Sequence, residues 1–325
     1  MIVGAYILMK KKKLNKVGLI DSGVTADYQY GKINRIKFSE DDDGYDSTGH
    51  GTLCASMILK MNPNAEIYSV KGFDINTSCS SDRLLKILNM FREIDVDIIN
   101  MSLSTQDMAR IDDYSKACNA LLKQEKLLVA SLSNTGLVSL PAMLPSVIGV
   151  GGCDTFFDND YIFFQNNKIE CFFDSKPVML RNIVGDYELF GGNSKACAAL
   201  SGLLSSIELQ SNENIVMTVR SMLSDINMKK IEYEQSSQNI INKNKEDDSK
   251  IKSIVMRVIG KDIDYGKVLF EQFSSPSDAT RIVEALENEY KIYADYRTIN
   301  LYDFTSIASL IRLVYNKTTI CCKEI

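Results

Sequence analysis

The chain contains one histidine, His50, among its 325 residues. Any chemistry that needs an imidazole base must therefore use that side chain, and a zinc site built on several histidines is excluded. The eight cysteines, Cys54, Cys79, Cys118, Cys153, Cys171, Cys197, Cys321 and Cys322, show no C-x-x-C spacing. They read as reduced thiols in a reducing compartment rather than as metal ligands. No basic stripe occurs and the net charge is only -5, which argues against nucleic acid as a partner. The apolar start, residues 1–9, is too short to span a bilayer. Its lysines follow the apolar stretch, the reverse of the order in a secretion signal. A short strand and a cytoplasmic protein without membrane association are expected.

What is present is ordinary for a globular protein: 45% hydrophobic and 24% charged residues. The length implies one large domain plus a small one. Short apolar runs at 17–20, 67–70, 97–103, 127–131 and 147–150 alternate with helical patterns at 54–61, 82–93 and 112–124. Such alternation predicts a parallel sheet with helices on both faces. Residues 154–190 read as hairpins, and helices are expected at 195–209 and 214–226. The polar stretch 232–252 reads as a linker. The expected division is a domain over 1–231, a linker over 232–252 and a helical domain over 253–325. No internal repeat is found.

Four segments carry candidate chemistry. Val17-Gly18-Leu19-Ile20-Asp21-Ser22-Gly23 is an apolar strand ending in a carboxylate and a glycine turn. Alone it reads more readily as an acidic residue capping the next helix. In Asp46-Ser47-Thr48-Gly49-His50-Gly51-Thr52, two glycines let backbone and substrate approach the only imidazole closely. The run 127–131 leads into Leu132-Ser133-Asn134-Thr135-Gly136, where the Asn134 amide is either a turn former or an oxyanion donor. Gly191-Gly192-Asn193-Ser194-Lys195-Ala196 sets a serine after a glycine pair at a helix start, where its N–H would face an anion.

Taken in order, these segments resemble the subtilisin-like (S8) serine peptidases over about residues 14–230. The resemblance implies a subtilisin-like α/β fold and a triad of Asp21, His50 and Ser194, with Asn134 as oxyanion donor. Asn100-Met101-Ser102-Leu103-Ser104 looks like the family's substrate strand, so Ser102, Leu103, Ser104, Ser131, Leu132 and Ser133 are expected to bind substrate. No metal and no cofactor are implied. Glu40-Asp41-Asp42-Asp43-Gly44 reads as a solvated acidic loop rather than a calcium site. Departures from the family pattern are Asn193 for threonine, Ala198 for proline, Leu53 and Cys54 after Gly-His-Gly-Thr, and Ser104 and Ser133 for glycines. None removes a catalytic group. If the gene product starts at Met1, it must fold without the family's usual inhibitory propeptide.

In the tail, Ile282, Val283, Leu286 and Tyr290 form one helical face, with Ser275 or Ser277 as its cap. This segment is similar to acyl or peptidyl carrier proteins, implying a small all-α carrier-like domain. Pro276 occupies the register of the phosphopantetheine-bearing serine, so no prosthetic arm is expected. The function implied is a serine endopeptidase acting on a peptide or precursor, with the tail recruiting a biosynthetic partner. The alternatives are a non-proteolytic binding protein on the same scaffold, and a triad-based acyltransferase or thioesterase.

Overall fold

The computed structural model describes residues 11–320 apart from 29–30, 41, 74–78, 134–138, 154–160, 165–168, 211–214, 230–244, 265–268, 276, 295, 297–298, 300, 305 and 317. Two compact units are formed: residues 1–175 with 192–232, and residues 176–191 with 233–325. In chain order the first unit begins with β1 (Lys11–Lys13), β2 (Lys16–Asp21), β3 (Lys32–Ile36), α1 (His50–Met61), β4 (Glu66–Lys71) and α2 (Ser81–Met90). It continues through β5 (Ile98–Met101), α3 (Ile111–Leu122), β6 (Leu127–Ser131), β7 (Ile148–Cys153), β8 (Tyr161–Phe163) and β9 (Cys171–Asp174). The hairpin β10 (Val178–Arg181) and β11 (Tyr187–Phe190) belongs to the second unit. The chain then returns for α4 (Gly192–Ser205), β12 (Glu208–Gln210) and α5 (Ile215–Lys229).

An eight-stranded sheet in the order β3-β4-β2-β5-β6-β7-β9-β8 organises the first unit. Its pairings are parallel except at the β8 edge. Central strands covered on both faces need apolar residues on both sides, and all five residues of β6 are buried. Alternation along each strand then sorts the faces. Ile20, Ile99, Met101, Leu128 and Ala130 join α2 and α3 in one core, while Asn100 points the other way and meets α4. There α1 and α4 lie so close that a Cβ on Gly202 would sit 2.7 Å from the Ile58 carbonyl oxygen. β3 was not expected from the sequence. Its Lys-Ile-Asn-Arg-Ile alternation is half exposed, as suits an edge strand.

The second unit departs from the all-α carrier-like domain expected from the sequence. It holds the β10–β11 hairpin and three helices, α6 (Lys245–Ile259), α7 (Ser277–Tyr290) and α8 (Ile307–Asn316). A second antiparallel ribbon pairs β13 (Ile292–Ala294) with β14 (Thr318–Ile320). Residues 245–252, expected as linker, form the first turns of α6. Ile282, Val283 and Leu286 are fully buried, as the helical face predicts. Ser275 Oγ accepts from the Ser277 N–H at 3.2 Å, and Pro276 lies outside the described residues.

Hairpin and tail share one core. Met179 packs with Ile251, Val255, Leu286 and Ile299, its N–H donates to the Ile299 carbonyl at 3.1 Å, and Tyr187 stacks on Tyr296 with centroids 4.3 Å apart. Met179→Ala should therefore destabilise the second unit by about 2–5 kcal/mol, the cost of emptying a buried methionine site. Hydrogen exchange of the α7 amides is the measurement. Unchanged protection would show that the hairpin is not part of that core.

Candidate active site

Asp21 ends β2 with no exposed surface. Its Oδ1 accepts from the Ser22 N–H at 2.8 Å and lies 2.7 Å from His50 Nδ1. With Nδ1–H donating to the carboxylate, Nε2 is left with its lone pair. His50 is the first residue of α1, after Gly49 in a left-handed conformation (φ 94°), and a third of its side chain is exposed. Gly51 follows because nothing larger fits: a Cβ there would lie 2.1 Å from the Gly23 carbonyl oxygen. The two glycine-containing motifs thus interlock through their backbones.

Asp46, quoted in the histidine motif but given no role by sequence reasoning, organises this junction. Its Oδ1 accepts from Ser22 Oγ (2.8 Å) and the N–H groups of Thr48 and Gly49 (both 2.9 Å). Its Oδ2 accepts from the Thr52 N–H and hydroxyl (2.9 and 2.7 Å). Burial works against this carboxylate's charge, but the Thr52, Thr48 and Gly49 donors outweigh it and lower its pKa below the ordinary value. Ser22 Oγ in turn accepts from the Gly51 N–H at 2.8 Å, linking the end of β2 to the start of α1.

Ser194 lies in the first turn of α4, where backbone N–H groups lack helical partners. Its Oγ is 3.5 Å from the Ser102 carbonyl oxygen, and Ser102 Oγ donates to the Ser194 carbonyl at 3.4 Å. Behind this pair runs a buried polar chain: Asn100 Nδ2 donates to Ser102 Oγ, while Ser201 Oγ donates to Asn100 Oδ1, each at 2.9 Å. Lys195, next to Ser194, is wholly buried and donates to the Asp174 carbonyl and carboxylate at 2.7 and 2.9 Å. The only sequence signal for this pair was a lysine within a run of small and apolar residues.

A cavity of about 520 Å³ joins these groups, lined by His50 and Ser194 together with Ser102, Leu103, Ser104, Ser131 and Leu132. Five of the six expected substrate-binding residues therefore line it. Ser133, the sixth, is buried and donates its N–H to Ser139 Oγ at 3.0 Å. Asn134, the expected oxyanion donor, lies outside the described residues. Among the described residues, Thr48 of the histidine motif and Phe73, Cys79, Leu84 and Thr105 also line it, the last four contributed by segments that carry no motif.

Burial disfavours the His50 imidazolium, but negative charge beside Nδ1 outweighs it and holds the pKa above the ordinary 6.5. That charge is the Asp21 carboxylate. Cys54 Sγ is 3.9 Å from Nδ1, yet burial pushes its thiol up to about 11, so it is neutral at physiological pH. Asp21, His50 and Cys54 offer ligand atoms within 4.8 Å of one another, but the Asp21–His50 hydrogen bond already uses two of them. In the acidic loop, Asp42 accepts from the Phe38 and Gly44 N–H groups and Asp43 pairs with Lys71 at 3.0 Å. These carboxylates are engaged by protein donors. Among the described residues, no helix is long and apolar enough to cross a membrane.

The chain is similar to several known proteins. The chain is 33% identical to the minor extracellular protease Epr of Bacillus subtilis over 153 residues, 42% of this chain and 23% of Epr. It is 24% identical to subtilisin E of the same organism over 205 residues, 58% of this chain and 53% of the relative. The chain thus spans about half or less of these curated relatives. Among solved structures, a cold-adapted subtilisin-like serine proteinase matches with a TM-score of 0.54 at 20% identity, covering 65% of this chain and 81% of that one. The nisin leader peptidase NisP of Lactococcus lactis matches with a TM-score of 0.54 at 17% identity, covering 66% and 83%. Both likenesses concern the fold. Residues 12–249 match the Peptidase_S8 subtilase family, and with that match covering well over half its length, the chain belongs to the subtilase family.

Proposed function

We propose that the protein is a serine endopeptidase that cleaves a peptide or precursor through an acyl-enzyme, with Asp21, His50 and Ser194 as its triad. The observation that carries this reading is the 2.7 Å contact of buried Asp21 with the only histidine, whose ring shares a cavity with Ser194. His50 Nε2 takes the proton of Ser194 Oγ as that oxygen attacks the scissile carbonyl carbon. The Asp21 carboxylate holds the ring tautomer and stabilises the imidazolium. The tetrahedral oxyanion is held by the Asn134 amide and by the backbone N–H of Ser194 at the start of α4. Collapse breaks the C–N bond, the imidazolium gives its proton to the leaving amine, and water then hydrolyses the ester by the same route.

None of the described residues lining the cavity is acidic, and none is lysine or arginine. The second unit serves to recruit substrate or a biosynthetic partner, and maturation of a peptide product is the setting that suits the pairing. A binding-only scaffold does not explain why Asp21, His50 and the Ser194 turn all retain the groups that proton transfer needs.

Ser194→Ala or His50→Ala should lower peptide turnover at least about a thousandfold, while the residual rate stays above that of water, as for serine triads generally. Fluorophosphonate labelling of the wild type, lost in Ser194→Ala, accompanies that result. Unlabelled wild type would favour a binding protein, and thioester turnover in preference to peptide would favour an acyltransferase.

The base must be neutral to accept a proton. Because Asp21 raises the His50 pKa, kcat/KM should climb with pH through a midpoint above 6.5. Asp21→Asn removes the charge but leaves the ring buried, so the midpoint should fall towards or below 6.5 while kcat drops about 10⁴-fold. A pH–rate profile of both proteins is the check. An unmoved midpoint would mean that Asp21 does not set the basicity of His50.

A further inference from the structure

We infer that Asn193 is a positioning residue that ties the nucleophile's turn to the chain entering Asn134, and so sets the oxyanion-binding geometry. This inference rests on the triad and oxyanion roles proposed above. Asn193 lies between Gly192 and Ser194 in the first turn of α4. Its side chain reaches outward to two strand ends. Oδ1 accepts from the Gly152 N–H in β7 at 2.7 Å. Nδ2 donates to the carbonyls of Leu132 and Ser133, just beyond β6, at 3.1 and 3.2 Å.

The two carbonyls belong to a segment already held from other directions. The Leu132 N–H donates to the Val150 carbonyl at 2.7 Å, and the Ser133 N–H donates to Ser139 Oγ at 3.0 Å. Asn134 is the next residue in the chain, so the Asn193 amide fixes the backbone immediately before it. The same side chain is one peptide unit from Ser194, whose N–H is the second oxyanion donor. A single amide thus spans from one donor's residue to the chain entering the other's. Only a primary amide of this length offers one acceptor for an N–H and donors for two carbonyls. The site tolerates little slack, because oxyanion donors must lie within 2.7–3.1 Å of where the charge develops, and a misplacement of about 1 Å can cost about 100-fold in rate.

The test is Asn193→Asp, which keeps the shape and the acceptor for Gly152 but turns a carboxylate towards two carbonyl oxygens. Rates are expressed per active site, counted by the endpoint stoichiometry of fluorophosphonate labelling, so that lost folding does not register as lost catalysis. The expected result is a fall in kcat of about 10- to 100-fold with KM within about threefold. In Asn134→Ala/Asn193→Asp the loss should be close to that of Asn134→Ala alone, because both act on one oxyanion. Should the aspartate variant fail to fold, Asn193→Ser, neutral and too short to reach both carbonyls, is expected to behave in the same direction. A kcat within twofold of wild type, a raised KM at constant kcat, or losses that multiply in the double variant would each overturn the inference. Retained turnover in Ser194→Ala would instead bring down the triad reading and this inference with it.

Discussion

A carboxylate with no exposed surface must find its donors inside the protein, and Asp21 finds them in the N–H of Ser22 and the ring of His50. Everything around the candidate site follows from holding that pair at 2.7 Å. The ring has to arrive at the carboxyl end of β2 from another element, which is why α1 begins at His50 and why Gly51 abuts Gly23 with no room for a side chain. Asp46 supplies the fixed point for this approach. Its two oxygens take up six donors from Ser22, Thr48, Gly49 and Thr52, so the loop before α1 is built around a buried carboxylate.

On the serine side the constraint is met by different chemistry. Ser194 has to sit at a helix start, and that start is pinned by the buried Lys195–Asp174 pair and by the Asn193 amide. Burying an ion pair costs several kcal/mol per charge before the attraction offsets it, and removing one partner would leave a buried charge uncompensated. Such an arrangement adds little net stability relative to apolar packing. What it provides is directional: Lys195 Nζ donates to both the backbone carbonyl and a carboxylate oxygen of Asp174, which links the end of β9 to the residue after Ser194.

The second unit enters the chain at the same place. Residues 176–191 leave β9 just after Asp174 and return at Gly192, and the Gly192 N–H closes the base of this excursion on the Ser175 carbonyl at 2.9 Å. The hairpin so formed shares its core with helices from the far end of the sequence. Part of the second unit's core is therefore encoded just ahead of the candidate nucleophile, Leu189 standing five residues before Ser194.

Much of the first unit was legible in the residues themselves. Apolar runs with parallel-strand character located β2, β4, β5, β6 and β7 to within a few residues, because a strand covered on both faces leaves no choice but hydrophobic side chains. Asp21, His50 and Ser194 stood out because glycines flank them where backbones must pass closely, a need that is local in sequence. Other features had no such local sign. Asn193 read as a substitution in a motif, and Lys195 as an ordinary helix residue, because their partners lie on strands and loops distant in the chain. The hairpin 178–190 looked like a hairpin, but alternation along a strand does not say which core its buried face will join. That was decided only when Met179 and Tyr187 met Ile299 and Tyr296. Sequence determined which groups could do the chemistry; tertiary structure decided what holds them, because hydrogen-bond partners and buried charges are assigned by proximity in space.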